Sequence, residues 1–152
     1  MSNRWDPPVF DKAKILKYDK PGPRYTSYPT APYFHEGFDT NAYVAEVKRT
    51  NASENPADLS LYFHLPFCRS VCYFCGCNVT YTKDLTLADV YIDYVLKEME
   101  TLSAMIRPGR KVVQVHWGGG TPTFIPEPAL RRLWQGINRY FHIAPDAEIG
   151  VE

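Results

Sequence analysis

Cys68-Arg69-Ser70-Val71-Cys72-Tyr73-Phe74-Cys75-Gly76-Cys77 gathers all four cysteines of a 152-residue chain into one short stretch. Thiolates at such spacing converge from a single loop onto one inorganic centre, and soft sulfur ligands suit zinc or iron–sulfur chemistry. A disulfide framework is one alternative. It belongs to small secreted domains whose cysteines are spread over several loops, and this chain opens Met1-Ser2-Asn3-Arg4-Trp5-Asp6 with no apolar leader. A structural zinc site is another, but such sites pair two Cys-x2-Cys knuckles or add histidines, and none stands among or just after these cysteines. The spacing Cys-x3-Cys-x2-Cys also fits neither of the common ferredoxin patterns.

Immediately before the cysteines, Leu59, Leu61 and Phe63 alternate with Ser60, Tyr62 and His64, the period of a strand. After them, Thr86 and Asp89 suggest a capping box. Leu87, Val90, Tyr91, Tyr94, Leu102 and Met105 then recur at helical spacing up to Pro108-Gly109. Val112 to Trp117 reads as a second strand, with Val113 and Val115 on the face opposite Gln114 and His116. Gly118-Gly119-Gly120-Thr121-Pro122 follows it. A helix opening near Pro128 then carries Leu130, Leu133, Trp134, Ile137 and Phe141 on one face, and Ala147 to Val151 forms a third strand. Strands joined by helical crossovers pair in parallel with right-handed connections. The fold class is therefore α/β, either an incomplete parallel (βα)n barrel or a doubly wound sheet.

Each strand has one apolar and one polar face. The apolar face should meet the helices, leaving the polar face to line a ligand cavity, with a solvated sheet face as the plainer alternative. Active sites of such sheets lie where the strand C-termini feed into loops. The cysteine loop, the glycine run and Glu152 all fall at such positions. Three glycines let backbone approach a ligand closely and offer amide donors to a carboxylate, although the run lacks phosphate-loop spacing and a tight turn would also explain it. His64 and His116 read as structural histidines.

Residues 1–56 form an irregular, proline-rich preface with two short helices, Val9 to Tyr18 and Thr40 to Thr50. Within it, Pro23-Arg24-Tyr25-Thr26-Ser27-Tyr28-Pro29-Thr30-Ala31-Pro32 reads as a strap that packs tyrosines over a core. Seventeen Lys and Arg balance seventeen Asp and Glu, which argues against a nucleic-acid partner held by phosphate contacts. No apolar run is long enough to span a membrane. Reduced, clustered thiols point to the cytoplasm.

With Phe74 as the aromatic residue before Cys75, the cysteines resemble the Cys-x3-Cys-x-aromatic-Cys signature of the radical S-adenosylmethionine (SAM) enzymes. Four segments together resemble the oxygen-independent coproporphyrinogen III oxidases over nearly the whole chain. They are Leu61-Tyr62-Phe63-His64-Leu65-Pro66-Phe67-Cys68, Cys75-Gly76-Cys77-Asn78, His116-Trp117-Gly118-Gly119-Gly120-Thr121-Pro122-Thr123, and Gly22 to Thr30. The superfamily's Gly-Gly-Glu-Pro loop reads Gly-Gly-Gly-Thr-Pro here. The related radical SAM haem chaperones share the glycine motif, but typically carry Cys-Asp-Phe in place of Cys75-Gly76-Cys77 and lack the Pro-Arg-Tyr preface.

The resemblance implies a partial barrel of the radical SAM type over residues 57–152, preceded by an N-terminal extension, 1–56. Cys68, Cys72 and Cys75 would ligate a [4Fe-4S] cluster whose open iron takes the amino and carboxylate groups of SAM, with Cys77 nearby but not a ligand. Tyr62, Gly119 and Glu152 would contact that SAM, and Phe74, Gly120 and Thr121 would border a second one. Arg24 would pair with a substrate propionate or form a strap-to-core salt bridge. The implied activity is an oxidoreductase of haem biosynthesis, converting coproporphyrinogen III to protoporphyrinogen IX through a SAM-derived 5′-deoxyadenosyl radical. It would act as a monomer served by a separate electron donor. A haem-binding chaperone is the alternative function. Because enzymes of this family continue through further βα units and a helical C-terminal domain, the chain is expected to be an N-terminal piece without oxidase activity by itself.

Overall fold

A computed structural model describes residues 9–20, 33–73 and 75–152, and the chain divides into two compact units, 1–38 and 39–152. In the first, α1 (Lys12–Tyr18) starts later than the expected Val9 because Asp11, in extended conformation, caps it and accepts from Lys14 N at 3.0 Å. The Pro-Arg-Tyr strap lies outside the described residues.

The second unit opens on α2 (Thr40–Asn51), capped by Asp39, which accepts from Ala42 N at 2.8 Å. It continues through β1 (Leu59–Leu65), the short strands β2 (Phe67–Cys68) and β3 (Thr80–Tyr81), α3 (Thr86–Met105), β4 (Lys111–Gly119), a 3-10 turn at Pro122–Phe124, α4 (Glu127–Tyr140) and β5 (His142–Val151). The main sheet has the order β1-β4-β5, and both pairings are parallel, as the helical crossovers require. Its apolar face carries the core. Phe63, Leu65, Val112, Val115 and Trp117 of the sheet bury Ala88, Ile92 and Met99 of α3 together with Ala129, Leu133 and Ile137 of α4.

Four local expectations are corrected. No capping box forms at Thr86, because Asp84 Oδ1 accepts from both Thr86 N (2.9 Å) and Thr86 Oγ1 (2.6 Å), drawing that hydroxyl away from the helix end. The buried stripe of α3 runs through the small Ala88 and through Ile92 and Met99, whereas Leu87, Val90 and Tyr94 are exposed. The helix carries more apolar side chains than its contact with the sheet can cover. Val113 is also exposed, since Leu59 pairs with Val112 and Ser60 with Gln114, leaving Val113 as an extra residue in a bulge. The same irregularity reaches β5, where Ile143 pairs with Val112 and Glu148 with Gln114. Pro145, which has no N–H to donate, lies in the intervening segment. β5 nevertheless begins at His142 rather than at Ala147, because His142 and Ile143 pair with Lys111 and Val112 before the irregularity.

A polar clasp fixes the end of α2 to the end of α3. Asn51 Nδ2 donates to Met105 O at 2.6 Å, while its Oδ1 accepts from Arg107 N and from an Arg110 guanidinium N, each at 3.1 Å. Truncation would orphan part-buried partners on both sides. Asn51→Ala is expected to destabilise the chain by about 2 kcal/mol, read as a lower urea midpoint with an unchanged m-value.

Candidate functional site

The register brings the strand ends level, with Leu65 beside Gly119 and Trp117 beside Val151. Beyond β1 the chain enters the cysteine loop, whose first residues are held on two sides. On one side β2 pairs with β3, and Thr82 N donates to Cys68 O at 3.0 Å. On the other, Gly120 N donates to Leu65 O and Thr121 N to Phe67 O, both at 2.9 Å. The glycine run thus lies directly against the root of the cysteine loop. A Cβ on Gly120 would stand 2.7 Å from Phe67 O and 3.0 Å from Cys68 Sγ, so only glycine fits there.

Cys68 is buried, with Thr121 Oγ1 3.4 Å from its sulfur, while Cys72, Cys75 and Cys77 are exposed further along the loop. Cys75 N donates to Cys72 O at 3.0 Å and closes a turn between them. Hydrogen bonds from the Cys77 backbone N–H, and then from the Tyr81 hydroxyl, hold the Cys75 thiol below its usual range, which favours the thiolate that binds metal. The Tyr81 phenol is pushed up, first by desolvation and then by its bond to Cys75 and the charges of Cys75, Cys68 and Cys72. The sulfurs of Cys75, Cys68 and Cys72 are thus all close enough for their charges to be felt at this one hydroxyl. Among the described residues no three His, Cys, Asp or Glu side chains gather tightly enough for a single metal ion. A [4Fe-4S] cluster asks for something different, three thiolates each on its own iron, and three free cysteine thiols on one loop are the donor type that chemistry needs.

The polar face of the sheet continues from this loop. Its cross-strand rows are Ser60–Gln114–Glu148 and Tyr62–His116–Gly150, with His64 beside Gly118 in the next. The Tyr62 hydroxyl is 3.1 Å from His64 Nδ1, and His64 Nε2 is 2.7 Å from Asn78 O, tying the far side of the cysteine loop to β1. Gly119 adopts φ +112, and a Cβ there would meet the His64 ring at 2.8 Å. Glu152 follows β5 directly. Its Oε1 lies 3.2 Å from His116 Nε2, and its Oε2 accepts from Gly119 N at 3.2 Å. These two hydrogen bonds, His116 first, hold the carboxyl below the usual range and keep it charged at neutral pH. A Cβ on Gly118 would come 2.9 Å from the same carboxylate. Tyr62 is 57% exposed on this face, and its phenol is pushed up by desolvation and then by the Glu152 charge.

Of the residues singled out in sequence, Tyr62, Cys68, Gly119, Gly120, Thr121 and Glu152 are brought together at the strand ends, with Cys72 and Cys75 in the loop above them. Phe74 and Arg24 lie outside the described residues. Sequence reading missed Tyr81, whose place depends on the pairing of β2 with β3, and missed the roles of His64 and His116. Their only signal was that they share the polar alternation with Tyr62, and register alone reveals what they touch.

A parallel βα sheet whose first strand feeds a Cys-x3-Cys-x2-Cys loop seated on a glycine turn is the architecture of the radical SAM enzymes. It matches the solved coproporphyrinogen III oxidase of Escherichia coli, described as a radical SAM enzyme, with a TM-score of 0.75 and 39% identity, over 91% of this chain and 30% of that one. Among curated proteins, oxygen-independent coproporphyrinogen III oxidases of Mannheimia haemolytica (42% identity over 144 residues), Helicobacter pylori (45% over 145) and E. coli (46% over 143) align with 94–95% of the chain. The chain belongs to the oxygen-independent coproporphyrinogen III oxidase family. It spans 95% of the M. haemolytica relative, but only 32% and 30% of the H. pylori and E. coli ones. No family model matches it. Radical SAM membership implies a [4Fe-4S] cluster and SAM. Among the described residues, no helix is long and apolar enough to cross a membrane.

Proposed function

We propose that this chain provides the cluster- and SAM-binding part of an enzyme that converts coproporphyrinogen III to protoporphyrinogen IX without oxygen. The observation that carries this reading is the locking of Cys68 between β3 and the glycine turn, with the Glu152 carboxylate and the Tyr62 hydroxyl facing the same strand ends. In this reading Cys68, Cys72 and Cys75 hold the cluster. Tyr62, Gly119 and Glu152 orient the SAM on it, the charged Glu152 serving as acceptor for a cationic or N–H group. Phe74, Gly120 and Thr121 border a second SAM, and Arg24 holds a substrate propionate bidentately. When bound, cluster and SAM would supply the one-electron chemistry that removes a hydrogen atom from a propionate side chain; loss of CO2, with the remaining electron passing to a separate electron acceptor, would then leave a vinyl group. The chain's own residues position these groups. Residues 57–152 form the cofactor-bearing part and 1–56 the extension. The protein works in the cytoplasm, as a monomer served by a separate electron donor, and free thiols support that placement.

Ile149 and Val151 of β5, beside the buried Val115 and Trp117, are each 52% exposed, an apolar surface left uncovered at the sheet edge, and the chain alone is expected not to turn over coproporphyrinogen. A chimaera tests the function directly. With this chain substituted for the matching part of the E. coli enzyme, anaerobic oxidase activity is expected to persist. A chimaera that loads cluster and SAM, yet binds haem and forms no product, overturns the oxidase reading in favour of a haem-binding chaperone.

Thr121 gives a further expectation. Facing a Cys68 thiolate at 3.4 Å, its hydroxyl must donate. Hydrogen bonds to cluster sulfurs raise reduction potentials. Thr121→Val should therefore shift the reconstituted cluster's midpoint to a more negative value, and Thr121→Ser should restore it, as read by an EPR-monitored redox titration.

A further inference from the structure

His116 occupies the middle of the polar face, on the central strand β4, between Tyr62 of β1 and Gly150 of β5. Its ring stacks on Tyr62, with centroids 5.9 Å apart and planes inclined by 12°. On the other side it sits so close to β5 that a Cβ on Gly150 would lie 2.8 Å from Nδ1. The ring is therefore wedged in place. Its Nε2 stands 3.2 Å from Glu152 Oε1, while Gly119 N holds the second carboxylate oxygen. An ionised carboxylate only accepts hydrogen bonds, so this contact requires the His116 proton on Nε2. A single side chain thus sets the ring plane of Tyr62 and the carboxylate direction of Glu152 together, across three strands.

We infer that His116 is a positioning residue that aligns Tyr62 and Glu152 for SAM by stacking on the one and donating to the other. This inference rests on the reading above that Tyr62 and Glu152 contact SAM. His116 itself acts only through these two neighbours.

Two variants separate its contacts: His116→Phe keeps a ring to stack and loses the donor, and His116→Gln keeps an N–H of similar reach and loses the ring. On the anaerobically reconstituted chain, SAM affinity is measured by titration calorimetry, alongside iron and sulfide content. His116→Phe should weaken SAM binding about tenfold at unchanged iron and sulfide, the loss of a charge-assisted hydrogen bond, and His116→Gln should recover to within about threefold of wild type. Wild-type affinity in His116→Phe would overturn the inference. A wild-type chain that loads the cluster but does not bind SAM would instead sink the reading of Tyr62 and Glu152 as SAM contacts. The positioning contact is then decided without cofactor, by long-range 15N–1H NMR of the histidine ring. His116 should show a downfield-shifted Nε2–H protected from exchange in the wild type and lose both features in Glu152→Ala, which removes the acceptor, and an unchanged resonance would refute the contact.

Discussion

Cys68→Ser is expected to leave the anaerobically reconstituted chain with less than about a tenth of the wild-type iron and sulfide, because a hard hydroxyl replaces a soft thiolate at one of the three cluster ligands proposed above. Cys68 is the most firmly held of the cysteines, buried and hydrogen-bonded through its backbone beside β3. Cys77→Ser provides the contrast. The Cys77 thiol is pushed up, first by desolvation and then by the Cys75 charge, which disfavours its thiolate where that of Cys75 is favoured. Its loss should leave iron and sulfide near wild type. Equal losses in both variants would mean a four-thiolate site and contradict the assignment of ligands.

Gly120→Ala is expected to cost about 2–3 kcal/mol and to reduce cluster loading along with stability, since the new methyl group meets backbone rather than a mobile side chain. It would press on Phe67 O at 2.7 Å and the Pro66 carbonyl carbon at 2.9 Å, prising the cysteine loop from the glycine turn. Gly136→Ala looks harsher by distance, with Leu96 Cδ2 at 2.2 Å. That clash falls on the far ends of Leu96 and Met99, which can rotate away within the α3–α4 contact, and the substitution adds a better helix former. Thermal unfolding should therefore rank Gly120→Ala as the more damaging. The reverse order would contradict the close seating of the loop.

Much of this fold was legible because its periods are short. The two-residue alternation of Leu59–His64 and the helical spacing around Leu133 and Ile137 are local patterns, and both survive in β1 and α4. Failures arose where a non-local choice prevailed. Val113 belonged to the apolar alternation until register placed it in a bulge, and Thr86 matched a capping box until Asp84 took its hydroxyl. The candidate site divides the same way. Cysteine spacing and the glycine run were visible in sequence, because a loop's chemistry is written consecutively. The link from Tyr62 through His116 to Glu152 joins three strands, and nothing in a linear sequence fixes which polar residues become neighbours.

The most direct test is EPR of the dithionite-reduced, reconstituted chain before and after addition of SAM. A radical SAM site leaves one iron open, so SAM should bind it and change the g-values of a [4Fe-4S]+ signal. A signal unaffected by saturating SAM, or a chain that takes up zinc and no sulfide, would contradict the assignment of Cys68, Cys72 and Cys75 to a SAM-binding cluster.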